Sequence, residues 1–284
     1  KGTTEIATAG DTVTLSFTTD ETIQTSTVAF MVNGTLAEGS VTVVDTAWSA
    51  VATGHNHTVA IRSDGTLWTW GNNSHGQLGD GTNSRKTIPV QESTGAAYWS
   101  AIAAGSLHTI GLKSDGTLWS WGGNSKGQVG DGTSINKTTS TQESTKTTNW
   151  SAIEAGYEHS VALRSDGTLW SWGSNIYGQL GDGTSTNKAT PIQESTKATN
   201  WSAISAGRYH TVGLKSDGTL WTWGYNYHGQ LGDGPGTANY KDIPEQELTE
   251  ATNWSAIAAG QWHTVGLKSD GTLWAWGRNY YGQH

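Results

Sequence analysis

The chain has 284 residues, only 14% of them charged, with a net charge of −8 and a pI of about 5.5. It holds no cysteine, which excludes disulfides and thiolate metal sites. It also lacks the lysine- or arginine-rich block of a nucleic-acid or anionic-membrane binder, and no apolar run nears the roughly 20 residues that span a bilayer.

Glycine (38 residues) supplies turns and tryptophan (16) supplies large buried surfaces, which together predict a turn-rich, all-β globular chain. The first residue is Lys1, not Met, so a processed or partial product is expected. Residues 1–45 form a distinct N-terminal segment without Trp or Tyr but with both phenylalanines, Phe17 and Phe30. Alternation predicts strands at Thr12–Phe17, Ser26–Val32 and Val41–Val44, with a turn at Asn33-Gly34. The run Gly-Asp-Thr-Val-Thr-Leu-Ser-Phe ending at Phe17 resembles the opening strands of a bacterial immunoglobulin-like domain. A whole sandwich needs roughly 100 residues, so these strands are expected to find partners elsewhere or to close a ring.

From residue 46 to 284 the chain repeats. Five blocks opening Trp-Ser-Ala start at Trp48, Trp99, Trp150, Trp201 and Trp254. A period near fifty marks small β units that must stack to bury a core. In the second block, strands are predicted at Trp99–Gly105, His108–Lys113 and Leu118–Trp121. Ser114-Asp115-Gly116-Thr117 reads as a two-residue hairpin turn. A fourth, outer strand is predicted near Thr141–Glu143, matching Ile88–Glu92 in the first block, where Pro89 favours a sheet edge. Four antiparallel strands at this spacing make a propeller blade.

The signature Ala-Ala-Gly-x-x-His-Thr-x-x-Leu-x-Ser-Asp-Gly-Thr-Leu-Trp-x-Trp-Gly, followed by Gly-Gln-Leu-Gly-Asp-Gly, resembles the repeat of the regulator of chromosome condensation family, in a bacterial version, over residues 48–284. The resemblance implies a β-propeller, usually of seven blades, of which five are visible. It also implies protein binding, since relatives include a nuclear guanine-nucleotide exchange factor and a secreted bacterial β-lactamase inhibitor.

Residues recurring in every block are read as framework. His57, His108, His159, His210 and His263 are expected to serve each blade separately, for instance by bonding a neighbouring backbone group. No other ligand type accompanies them, so no metal is expected. The pairs Trp68/Trp70, Trp119/Trp121, Trp170/Trp172, Trp221/Trp223 and Trp274/Trp276 lie two apart in one strand, and both rings of a pair point to one face as blade-to-blade core. One aspartate per Gly-Asp-Gly loop (Asp80, Asp131, Asp182, Asp233) is too few for calcium. Glu92, Glu143, Glu194 and Glu247 occupy equivalent positions, so no unequal acid–base pair arises. No enzyme and no cofactor are expected.

The positions that change between blocks carry the functional reading. They lie between the recurrent Gly and His, and around the Asn after Trp-Gly. Seven of the nine tyrosines fall there, as does Trp262, the one Trp outside the framework. The candidate partner-binding set is Tyr157, Tyr177, Arg208, Tyr209, Tyr225, Tyr227, His228, Trp262, Arg278, Tyr280 and Tyr281. Large aromatics on variable loops of a rigid scaffold favour a contact surface. The expected function is a non-catalytic, secreted or bacterial cell-surface module that binds a protein partner. One alternative is a subunit of an extracellular polymer, self-assembled by strand completion between copies. Another is a glycan-binding propeller.

Overall fold

Side-chain alternation and turn residues cut each fifty-residue block into strands too short to stand alone, and the fold is the stack that results. The computed structural model describes residues 31–32, 35–36, 47–234 and 238–283. The chain divides into two units, Lys1–Val44 and Asp45–His284. In the first, β1 (Met31–Val32) pairs antiparallel with β2 (Thr35–Leu36). The rest of the segment, including the expected strands at residues 12–17 and 41–44, lies outside the described residues.

The second unit is a series of five antiparallel sheets, each a meander in chain order, and together they are the blades of a β-propeller. The first blade is β3 (Trp48–Thr53), β4 (His57–Arg62), β5 (Leu67–Gly71) and β6 (Lys86–Gln91). The second is β7 (Trp99–Ala104), β8 (His108–Lys113), β9 (Leu118–Gly122) and β10 (Lys137–Gln142). The third is β11 (Trp150–Ala155), β12 (His159–Arg164), β13 (Leu169–Gly173) and β14 (Lys188–Gln193). The fourth is β15 (Trp201–Ala206), β16 (His210–Lys215), β17 (Leu220–Tyr225) and β18 (Tyr240–Gln246). The fifth is β19 (Trp254–Ala259), β20 (His263–Lys268) and β21 (Leu273–Gly277). Strands β3, β7, β11, β15 and β19 pack side by side in sequence and line the centre. The outer strands begin several residues earlier than the sequence suggested, and each glutamate falls just past the strand end.

A bulge gives each blade two different faces. In the first blade Trp48 pairs with Arg62 but Ala50 pairs with Ile61, so one extra residue turns the Trp to the side opposite Ala50. One face then carries Trp48, Val51, Thr58, Arg62, Trp68 and Trp70, and the other carries His57, Val59, Ile61 and Leu67. Each junction packs the second kind of face against the first kind on the next blade. Val59, Ile61 and Leu67 meet Trp99 and Trp121, and Val161, Leu163 and Leu169 meet Trp201 and Trp223.

The Ser-Asp-Gly hairpin differs from its expected form. Arg62 pairs with Thr66 across a three-residue loop, and only Gly65, at φ 78°, is left-handed. Asp64 instead accepts the Thr66 amide and hydroxyl. One left-handed residue after a type I turn satisfies the strand twist, so the aspartate need not adopt positive φ.

Candidate functional site

The recurrent histidines tie blades together. His57 Nε2 lies 2.9 Å from Thr109 Oγ1 of the next blade. That hydroxyl donates its one proton to the Gln77 carbonyl, so His57 must be the donor, with its proton on Nε2. The same relay runs from His108 to Ser160 to Gln128, from His159 to Thr211 to Gln179, and from His210 to Thr264 to Gln230. The partner is therefore a hydroxyl on the neighbouring blade and not the backbone group expected, because the Gln carbonyl is already engaged by that hydroxyl. Burial pushes the His57 imidazole down to about 4, and those of His108, His159 and His210 to about 3.

The framework tryptophans divide by depth. Trp121, Trp172 and Trp223 are fully buried, and each donates Nε1–H to the same Gln carbonyl of the preceding blade. Trp276 makes that bond to Gln230, while Trp70, in the first blade, is half-buried. Trp68, Trp119, Trp170, Trp221 and Trp274 sit nearer solvent and bond the hydroxyl of the hairpin threonine. A cation covers each of these rings: Arg62, Lys113, Arg164, Lys215 and Lys268 lie 3.8–4.4 Å from the ring centroids. Sequence reasoning missed this layer, although a basic residue precedes every Ser-Asp-Gly.

The carboxylates are engaged as structural anchors. Asp80, Asp131, Asp182 and Asp233 pair with Lys86, Lys137, Lys188 and Lys241. Glu194 is buried and accepts from the amides of Thr196 and Ala198 and from Trp201 Nε1. Glu194→Ala would orphan all three donors. It is expected to cost about 3 kcal/mol in urea unfolding, because buried donors that lose a charged acceptor bear their full desolvation penalty. Burial pushes the Glu154 carboxyl up to about 7.

The variable positions lie on one end of the blades, opposite the Ser-Asp-Gly hairpins. Tyr157, Arg208, Tyr209 and Trp262 occupy the turns between first and second strands, Tyr225 ends the third strand of the fourth blade, and Tyr177, Tyr227, His228, Arg278, Tyr280 and Tyr281 follow the third strands. The fold brings most of them into one patch. Tyr209 packs on Tyr157 at 5.8 Å, on Tyr177 at 5.3 Å and on Trp262 at 5.6 Å. Tyr225 joins Tyr177 at 4.8 Å and Trp262 at 5.6 Å, and His228 meets Tyr227 and Trp262. The Arg208 guanidinium lies 4.3 Å from the Tyr157 ring and 5.1 Å from Trp262. His55, from the first blade, reaches Tyr157 at 6.2 Å, a contact the sequence did not signal.

Tyr280 and Tyr281 form a separate pair 4.8 Å apart, near Arg278. Burial lowers the His228 pKa, and the Arg278 charge adds to the effect. The patch borders an axial hollow of about 300 Å³ lined by the inner turns of all five blades, with Tyr157 and Arg208 on its wall. The corresponding slots of the second blade hold Ser106, Leu107, Gly123 and Lys126, so the aromatic character belongs to blades three to five.

A family model described as an RCC1-like domain matches residues 7–284, beginning inside the segment read as immunoglobulin-like. The Arabidopsis thaliana ultraviolet-B receptor UVR8 is 33% identical over 249 residues, covering 82% of this chain and 54% of the receptor. The mitochondrial RCC1 domain-containing protein RUG3 of the same plant is 30% identical over 237 residues, covering 80% of the chain and 53% of that protein. The chain thus spans about half the length of these curated relatives. Human WBSCR16 superposes with a TM-score of 0.73 at 24% identity, over 83% of this chain and 63% of that one. Yeast RCC1 (Prp20), crystallised with Kap60, gives 0.70 at 21% identity, over 81% and 56%. At those identities the likeness shows the fold.

Proposed function

Because the chain belongs to the RCC1-like domain family, we propose that it is a non-catalytic interaction module that grips a protein partner on the aromatic patch of blades three to five. The observation that carries this reading is convergence. Side chains from the slots that differ between near-identical repeats meet in one half-exposed cluster of Tyr157, Tyr177, Tyr209, Tyr225, Trp262 and Arg208. Rigid aromatics with an arginine among them are the side chains that dominate contact energies between proteins. Tyr227, 68% exposed, would extend the patch outward. Protein binding among relatives supports the same class: yeast RCC1 was crystallised bound to Kap60, and Prp20p was studied for binding to Gsp1p and histones.

The test is site-directed photocrosslinking followed by affinity measurement. A crosslinker at Tyr227 should capture a protein that one at Ser165, in a hairpin at the opposite end, does not. With that partner purified, Tyr225→Ala combined with Trp262→Ala should weaken binding by about thirtyfold or more, the loss expected for truncating an anchor worth about 2 kcal/mol. Unchanged affinity would remove the patch from the interface.

The proposal places the protein outside the cell, secreted or on a bacterial surface. Its low charge and the Thr-, Gly- and Asn-rich loops support that placement, while the relatives named above are eukaryotic.

A further inference from the structure

The aromatic patch holds one arginine, and among the described residues no carboxylate meets it. Arg208 stands in the turn between β15 and β16. Its guanidinium lies 4.3 Å from the Tyr157 ring, 5.1 Å from Trp262 and 5.3 Å from Tyr209. Its Nε is shut off from solvent and has no hydrogen-bond partner. The turn that carries it is fixed from both sides. The Arg208 amide donates to the Gln261 carbonyl of the fifth blade, and the Arg208 carbonyl accepts the Tyr157 amide of the third. The cation is therefore held in place before anything binds, with a blade of this chain on either side.

The framework cations that cover rings are matched. Arg62 and Arg164 bury Nε in the same way, but each attracts the aspartate two residues on, Asp64 and Asp166. Lys113, Lys215 and Lys268 stand in the same relation to the hairpin aspartates of their own blades. The loop lysines pair with the Gly-Asp-Gly aspartates. Arg208 has neither arrangement, and Glu158, the acid of the adjoining turn, forms no ion pair with it. The variable turns hold Arg208, Arg278 and Lys126 against the single acid Glu158, although the chain as a whole carries a net charge of −8. An acidic group approaching this chain is thus favoured at the end that bears the patch.

We propose that Arg208 receives an aspartate or glutamate side chain of the protein partner, set between apolar residues that pack on Tyr225 and Trp262. The inference rests on the reading of the patch as a protein-contact surface and names what that surface selects. A guanidinium presents its N–H groups in one plane and matches the two oxygens of a carboxylate. A phosphate, with nearly two charges, calls for a second cation at the same place. The next arginine, Arg278, stands instead beside Tyr280 and Tyr281.

The test is selection on the full chain from a phage-displayed library of random peptides. Binders should share one Asp or Glu bordered by aromatic or aliphatic residues. The best of them is then synthesised with an amidated C-terminus, so that only a side chain offers a carboxylate. It should bind Arg208→Gln about tenfold more weakly than the wild type, the loss expected for one charge-assisted contact. Replacing the peptide's acid by Gln should weaken binding to the wild type by a similar factor and leave binding to Arg208→Gln nearly unchanged, because both changes remove the same contact. Binders that depend on Trp262 but share no acid, or that bind Arg208→Gln as well as the wild type, would overturn the proposal and leave the patch standing as a contact surface. So would failure of acidic peptides to emerge among them, the result if a carboxylate from residues 1–46 of this chain sat on Arg208. Binders indifferent to both Trp262 and Arg208 would remove the contact surface itself, and this inference with it.

Discussion

Lowering the pH from 7 to 5 is expected to remove about 5 kcal/mol of folding stability from the blade unit, a large part of what a domain of this kind has. The cause is the histidine relay. His57, His108, His159 and His210 are neutral donors in buried sites, pushed down to about 4, 3, 3 and 3. Their ordinary value is near 6.5, so the unfolded chain takes up these protons first. Stability is then fully present above pH 6.5 and falls as the pH drops toward 4. Glu154 opposes this: held near 7 by burial, it binds its proton in the folded chain before the unfolded chain does. The net uptake on unfolding near pH 5 is about three protons, a slope of about 4 kcal/mol per pH unit.

Urea titrations between pH 4.5 and 7.5 measure that slope directly. His108→Gln keeps a donor for Ser160 but cannot titrate, so it should lower the uptake by about one proton. Stability that stays level from pH 7 to 5 would contradict the relay. The carboxylates of Asp115 and Asp166 cannot mimic the effect. Hydrogen bonds from Thr117 and Thr168 hold them below the ordinary carboxylate range, so their contribution is lost only at more acid pH.

Trp172→Ala is expected to destabilise the unit by about 3–5 kcal/mol, the range for truncating a fully buried aromatic. The indole is surrounded by Ile110, Leu112, Leu118, Trp150 and Ile153, residues of the second and third blades. Its Nε1–H reaches the Gln128 carbonyl at 2.9 Å. A Cβ on Gly130 would come within 2.7 Å of that nitrogen, so the loop above the ring is already in contact and has little room to collapse into the cavity. Trp70→Ala removes the same residue type at the same repeat position in the first blade, where, among the described residues, the indole is half-buried and not enclosed. It should cost less than half as much. Equal urea midpoints for the two variants would mean that the blade faces are not the source of stability.

The legible part of the site was the variation itself. Because the repeats are near copies, the slots holding Tyr157, Arg208, Tyr209, Tyr225 and Trp262 stood out without any coordinates. That they touch was not legible, since Tyr209 and Trp262 lie on different blades and meet only because neighbouring inner turns converge on the axis. The contact of His55 with Tyr157 spans the hollow from first blade to third, and no local pattern marks it. The cation layer had a sequence signal, a basic residue before each Ser-Asp-Gly, but its meaning needed the bulge that turns Trp48 under Arg62.

Period, alternation and turn chemistry are local properties of a chain, and they alone determined the five blades, their strand order and the shared face of the paired tryptophans. Bonds between blades join residues some fifty positions apart, so only the packed arrangement decided that the histidines answer a hydroxyl on the next sheet. The same holds for the meeting of Tyr209 with Trp262, because each sits in the turn of its own repeat and only the stacked blades bring the two turns together.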